Sequence, residues 1–256
     1  MRSIVKALLV ALLALPAFAG GAPGPKASFV KGDVDVSMDG TSAAPTWTHV
    51  KRGAEIAAGS VVKTGDGSRA ELTFPDGSVV RVGPGSQLKV DGSSFDGKTK
   101  EVKVQATLVA GEAWAKVAKL VDDKSKFQVK TANAVAGVRG TVFRVNVDRD
   151  EATVVKVYNG AVAVAAPLIG SDSGTQDATG PIDPNRKPIN NPFTEVDLKT
   201  FEKLLGKMMQ VRIAKGQTIQ SASPEAFTQD DDTKAEPEWV RWNSDRDAGK
   251  STEKSE

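Results

Sequence analysis

The sequence predicts a mainly β protein: a short β-solenoid or a sandwich-like roll of about ten or more strands, followed by one C-terminal helix and a polar tail. Three observations predict it. From about residue 29 to 164 the chain alternates apolar and polar residues in short runs. In "RAELTF", Ala70, Leu72 and Phe74 share one face and Arg69, Glu71 and Thr73 the other, and "EVKVQA" and "KFQVK" repeat the pattern. A period of two belongs to strands with one buried face. Asp-Gly dipeptides at 66–67, 76–77, 91–92 and 96–97 punctuate the runs, and this pair supplies the positive backbone angles of tight hairpin turns. There is also an internal echo, "VVKTGDGSRAELTF" near 61 and "QVKTANAVAGVRGTVF" near 128. Two layers of one motif stack in either architecture.

In chain order, "MRSIVKALLVALLALPAFA" places Arg2 and Lys6 ahead of an apolar run that ends in small residues at Ala17 and Ala19. Residues 1–19 are therefore expected to be a signal peptide cleaved after Ala19. The apolar run of about ten residues is roughly half of what a helix needs to cross a bilayer, so no stable membrane anchor is expected after cleavage. The destination is the periplasm, the extracellular space or the cell surface. The chain has 34 basic residues, two of them in this segment, against 32 acidic ones. The remainder is balanced in charge, which excludes the basic groove that tracks nucleic acid. With no cysteine, the exported chain has no disulfides and must be stabilised by burial alone.

Residues 27–166 hold the strand pattern and form the expected β domain. Residues 167–193, rich in glycine, proline, aspartate and asparagine, are a linker or long loop. Residues 194–220 are expected to pack on the domain as a helix and a strand extension. Thr194 caps the helix with Asp197 three residues on, and Leu198, Phe201, Leu205 and Met208 share one face. Residues 221–256 form an acidic polar tail, loose except at the island "EWVRWNSDRD". There Trp239 and Trp242 are expected to dock on the domain, with Asn243, Arg246 and Asp247 making polar contacts at its edge.

Little in the sequence points to bond-making chemistry. His49 is the only histidine and Tyr158 the only tyrosine, so the histidine and thiolate sets of zinc sites cannot be assembled. No "GxSxG" occurs. "DSG" at 172–174 has no second copy in a matching frame and sits in the linker. "DVDVSMDG" at 33–40 fails as a calcium loop, because Met38 stands where glycine is needed and Ala44 where glutamate is needed. It reads instead as a strand. "DDD" at 230–232 reads as a solvated stretch. No catalytic residue, cofactor or metal is expected.

The stretch "AVAGVRGTVFRV", residues 134–145, has two glycines and an arginine inside a strand pattern. A phosphate loop would lead into a helix, and the Walker type would carry lysine after the second glycine; here Thr141 follows and the strand resumes. With Phe143 inward, strict alternation points Thr141 and Arg139 inward too. Either a bulge at Gly140 resets the phase, burying Val138 and releasing Arg139, or a carboxylate holds a buried guanidinium. The bulge is favoured, since an unpaired buried charge costs several kcal/mol and one exposed valine about 1.5 to 3.

"GAEIAAGSVVKTGDGSRAELTFPDGSVVRVGPGSQLKV", "LVAGEAWAKV", "KFQVKTANAVAGVRGTVFRV" and "VYNGAVAV" together resemble successive blocks of the FecR domain, named for the ferric-citrate transport regulator. The resemblance covers about residues 29–165, and "KTGDGSRAEL", "DGSVVRV" and "VRGTVFRV" carry most of it. It implies an extracytoplasmic β-rich domain in which Gly65, Asp76, Gly77, Gly137, Arg139, Gly140, Thr141 and Phe143 are structural motif positions. In signalling members this domain meets an outer-membrane transporter, while a cytoplasmic anti-sigma segment and a membrane helix relay the signal. This chain opens on its signal peptide, so direct sigma-factor control is not expected. The expected function is a non-enzymatic, exported interaction module of the cell envelope that binds a protein partner. The alternative is a cell-wall glycan binder, with Trp47, Trp114, Trp239 and Trp242 stacking on sugar rings.

Overall fold

The computed structural model describes residues 24–120, 124–167, 203–250 and 253. The expected signal peptide, nearly all of the linker, and Thr194, Asp197, Leu198 and Phe201 of the expected helix lie outside the described residues. The strands are β1 (Lys26–Lys31), β2 (Val34–Ser37), β3 (Thr48–His49), β4 (Val61–Thr64), β5 (Arg69–Thr73), β6 (Val79–Val82), β7 (Gln87–Phe95) and β8 (Val102–Lys116). They continue with β9 (Lys126–Lys130), β10 (Val135–Val138), β11 (Val142–Val147), β12 (Thr153–Asn159), β13 (Val162–Ala165), β14 (Lys203–Leu205), β15 (Met209–Ile213) and β16 (Glu225–Ala226). Two helices follow, α1 (Gln229–Ala235) and α2 (Pro237–Asp247).

The strands make one mixed sheet that does not close into a barrel. It doubles over into two layers because β8 belongs to both. The first layer runs β1-β5-β6-β8-β11-β12-β15-β16. The second runs β3-β2-β4-β7-β8-β9-β10-β13-β14. Among the described pairs only β8 and β9 run parallel. The fold is thus the roll of the two architectures that the strand pattern leaves open.

The bend in β8 is at Gly111, which has φ +82°. Before it Val102, Val104, Ala106 and Leu108 face the core, and after it Ala113 and Ala115 do. The inward phase moves from even to odd positions, so Trp114 faces the other side of the sheet. A Cβ at Gly111 would sit 2.2 Å from Ser86 Oγ and 2.7 Å from Ser86 Cα, so no side chain fits there. Between the layers lies one core drawn from both: Leu72, Val80, Phe143 and Val155 from the first, Leu88, Val90, Val104 and Phe127 from the second. Phe74 and Phe127 meet edge to face across it at 5.6 Å.

The Asp-Gly dipeptides do three different jobs. Asp76-Gly77 and Asp96-Gly97 lie in connections between paired antiparallel strands, β5 with β6 and β7 with β8. Asp66-Gly67 does not make a hairpin, because β4 and β5 lie in different layers. Asp91-Gly92 is inside β7, where the register against β8 shifts between Val90 and Gly92. The first exception serves the passage between layers and the second a bulge in β7, tertiary demands that a dipeptide does not signal.

The arginine-glycine pair in "AVAGVRGTVFRV" is likewise a corner and not a bulge inside one strand. β10 ends at Val138 in the second layer, and β11 begins at Val142 in the first. Gly140 turns the chain between them with φ +64°, where a Cβ would crowd the Lys119 backbone at 3.2 Å. Val138 is buried and Arg139 is exposed. Register does slip nearby, opposite β12 between Val142 and Phe143.

Two C-terminal expectations need correction. Leu205, placed on a helix face by the sequence reading, is in β14, and Met208 is in the turn before β15. Pairing of Lys203–Leu205 with β13 extends the second layer, and sheet hydrogen bonds prevail over the helical spacing of the side chains. Outside its tryptophan island the tail, expected to be loose, carries α1, and the island itself is α2.

Candidate functional site

A strand whose apolar positions face the core presents its remaining positions to the opposite side. In the first layer that side is not left to water, because α1 and α2 cover it. Phe29, Glu71, Arg81, Trp114, Arg144 and Lys156 are successive cross-strand neighbours from β1 to β12. They form a row across six strands. The helices place Trp239, Trp242, Asn243, Arg246 and Asp247 from α2, Asp232 from α1 and Glu236 between them against that row.

Aromatic contacts make up the centre. Trp114 stacks on Tyr158 at 4.2 Å, Trp239 on Trp242 at 5.5 Å, and Phe29 meets Trp242 at 5.4 Å. The Arg246 guanidinium lies 4.7 Å from the Phe29 ring centre and 5.2 Å from that of Trp242, a geometry in which the ring quadrupole attracts the cation. Three of the four tryptophans, Trp114, Trp239 and Trp242, are at most 7% exposed. Their indoles are unavailable for stacking on a sugar, which corrects that part of the glycan reading.

Two ion clusters flank the aromatics. In the first, Glu71 accepts from Arg81 Nε at 2.7 Å, from Arg246 Nε and Nη2 at 2.9 and 3.0 Å, and from Ser28 Oγ at 2.8 Å. Burial acts to raise the Glu71 pKa but is outweighed by the two guanidinium partners, Arg246 first, and the carboxyl is held at about 2. Asp247 joins this cluster, accepting from Arg81 Nη1 at 2.8 Å and from Trp114 Nε1 at 3.0 Å. Asn243, fully buried, donates to the Trp239 carbonyl at 2.8 Å.

The second cluster centres on Arg144, at 2% exposure the least exposed cation among the described residues. It donates to Glu236 at 2.9 and 3.1 Å and to Asp232 at 3.2 Å. Asp232 also accepts from Lys156 and from the Tyr158 hydroxyl. The aspartate stretch at 230–232 is therefore not uniformly solvated, since Asp232 is 3% exposed. Glu112 completes the cluster, 3.9 Å from Arg144. Burial, and then the Glu236 carboxylate beside it, push Glu112 up to about 9, so it is a neutral acid at pH 7. Its Oε2 is enclosed without a hydrogen-bond partner. Burial also raises the Tyr158 pKa, aided by Asp232 against the opposing pull of Arg144.

The other singled-out residues lie elsewhere. Gly65 is a close-packed corner, donating to Asp33 O at 2.8 Å and accepting from Gly85 N at 3.1 Å. Asp76 accepts from Ser78 N and Oγ at 3.1 and 2.6 Å across Gly77, which has φ +84°. Gly137 pairs with Gln128 and Ala163 inside the second layer. Thr141 donates to the Ala161 carbonyl at 2.8 Å, and Phe143 is fully in the core. Together with Arg139 and Gly140 they sit at separate turns and strands and form no common site. His49 is exposed at the sheet edge, 3.4 Å from Asp35.

The sequence reading missed Arg81, Glu112, Arg144, Lys156 and Glu236, gave Tyr158 no role, took Asp232 as solvated and offered Trp114 only as a residue stacking on sugar. A signal for them exists: Phe29, Trp114 and Tyr158 are large aromatics at positions where a half-buried strand presents polar side chains. Chemically, the arrangement is a clasp. Its cations are matched by carboxylates, and among the described residues no group of three or more His, Cys, Asp or Glu side chains is arranged to hold a metal ion. Among the same residues, no helix is long and apolar enough to cross a membrane.

Comparison with known proteins adds the following. Residues 60–163 match the family model described as FecR protein. No curated protein matches the chain. Two solved structures of a candidate anti-sigma factor from Parabacteroides distasonis are similar at 19% and 20% identity, each with a TM-score of 0.42 and covering 65% of this chain. The chain spans 59% of the length of those structures.

Proposed function

We propose, from the premise that residues 60–163 form a FecR domain, that the chain is a non-enzymatic interaction module of the bacterial cell envelope. It binds a protein partner and is linked to envelope signalling. The observation that carries this reading is the family match itself, which spans β4 to β12 and the start of β13 and so includes five of the six strands of the clasp row, all but β1. The chemistry of the site supports it. Apart from the neutral Glu112, the buried acids and bases of the clasp hold one another in ion pairs, and the single histidine is on the surface. A general base or nucleophile needs a free partner within reach of a substrate, and the clasp engages its own charged groups.

The test is crosslinking in the native host with the full chain carrying photoreactive residues on exposed strand positions, followed by identification of the captured envelope proteins. One partner captured reproducibly from one face is the expected result. Capture indistinguishable from an uncrosslinked control at every position would overturn the reading.

A further inference from the structure

Beside the clasp, a cleft of about 540 Å³ opens between α2 and the adjoining ends of β1 and β5. Lys31, Arg69, Arg241 and Lys250 line it, opposed by Glu238 and Asp245, and Trp242 contributes to its wall. The cleft already holds a carboxylate of this chain. Glu253 Oε1 accepts from Lys31 Nζ at 2.6 Å and from Arg69 Nη2 at 2.7 Å.

The fit is incomplete in a specific way. Glu253 uses one oxygen for both donors, and its Oε2 is enclosed with no partner. Arg69 Nε and Trp242 Nε1 are likewise enclosed and unbonded. A guanidinium recognises a carboxylate best along one edge, with two parallel N–H bonds. Glu253 takes only the Nη2 half of the Nε–Nη2 edge. The cleft therefore has a donor, Arg69 Nε, that its resident ligand leaves unsatisfied.

We propose that this cleft is a binding site for an acidic peptide segment of a partner protein, and that Glu253 is an intramolecular stand-in which the partner's carboxylate displaces. Four cationic side chains against two acidic ones, once Glu253 is set aside, give the charge complement, and the unused Nε of the Arg69 edge gives the incoming carboxylate its advantage. Burial acts to raise the Glu253 pKa and the Lys31 and Arg69 contacts outweigh it, so the stand-in is ionised at neutral pH. The proposal deepens the interaction-module reading by naming the partner's chemistry.

The test uses the purified full chain and the blocked peptide acetyl-triglutamate amide, with acetyl-triglutamine amide as control, followed by titration calorimetry at low salt. Glu253→Ala empties the cleft and is expected to bind triglutamate at least about tenfold more tightly than the unmodified chain, because a tethered competitor at millimolar effective concentration is gone. Triglutamine should not bind. Adding Arg69→Lys to Glu253→Ala keeps the charge but removes the planar edge, and should abolish saturable binding with the melting temperature unchanged. Equal triglutamate binding by the unmodified and Glu253→Ala chains, or binding that survives Arg69→Lys, would overturn the proposal. No envelope component is present in this measurement, so its failure leaves the crosslinking result to stand or fall separately.

Discussion

Two glutamates on one sheet face have opposite electrostatic fates. Glu71 accepts from two guanidiniums and is held at about 2; Glu112, buried beside Glu236, is pushed up to about 9. Against an ordinary value of 4.5, the Glu71 contribution to stability is present above pH 4.5 and lost as pH falls through about 2. The Glu112 contribution has the reverse sign. It is fully present below pH 4.5 and lost as pH rises through about 9, because the folded state holds a proton there that the unfolded chain has released. Glu112→Gln retains the shape of the neutral acid and cannot ionise. Relative to the unmodified chain, its melting temperature should rise as pH goes from 5 to 9, with the largest gain at pH 9. A difference between the two chains that stays constant over that range would show that Glu112 is already ionised in the folded protein above pH 5 and that its pKa is not raised.

At the scale of elements, the helix pair is held by side chains more than by intrinsic helicity. α1 has seven residues, too few to persist alone in water. Its start is fixed by Thr228, which accepts from Asp231 N at 3.1 Å while its hydroxyl reaches the Asp231 carboxylate at 2.6 Å, a reciprocal cap. α2 begins at Pro237, where a missing N–H leaves no bond unmade. Deleting residues 237–256 removes Trp239, Trp242 and Asp247 and leaves Arg81 and Trp114 uncovered. Loss of such buried ion pairing costs about 3–5 kcal/mol, so the melting temperature should fall by roughly 10 °C, with new binding of an apolar dye at the bared aromatic face. An unchanged melting curve would mean that the helices rest on the sheet without stabilising it.

The same elements show what the sequence made legible. The strands read clearly because Ala70, Leu72 and Phe74, or Phe143 and Val145, alternate with polar residues over one continuous core. Trp239 and Trp242 stood out as apolar residues in a polar tail. Arg144 and Asp232 did not, because each looks like an ordinary solvated charge until the other is brought to it across 88 residues of chain. The cap at Thr228 and the proline at 237 were present as helix signals, but the run of aspartates masked them. Leu205 and Met208 misled in the other direction, since helical spacing at four positions cannot reveal that β13 offers an open edge. Pairwise partners distant in sequence are what alternation and spacing do not encode.

For the whole molecule, one strand holds the architecture together, because β8 is shared by both layers and changes its inward phase at Gly111. That residue meets two demands, a positive φ and close approach to Ser86, whose hydroxyl accepts from Glu112 N at 2.9 Å. Gly216 separates the demands, since its φ is +75° and nothing lies within 4 Å of a Cβ built there. Gly216→Ala should therefore cost only the backbone strain, about 1 kcal/mol. Gly111→Ala adds displacement of Ser86 and should cost at least about 2 kcal/mol more, read as a difference between the two variants in the midpoint of denaturant unfolding. Because Glu112 and Trp114 follow directly on β8, a shift at Gly111 also moves the row on which the helices rest. Tryptophan emission in Gly111→Ala should then move to longer wavelength before global unfolding, while in Gly216→Ala it should follow the unfolding curve. Equal losses in the two variants would show that the fold depends on the turn at residue 111 and not on the tight contact with Ser86.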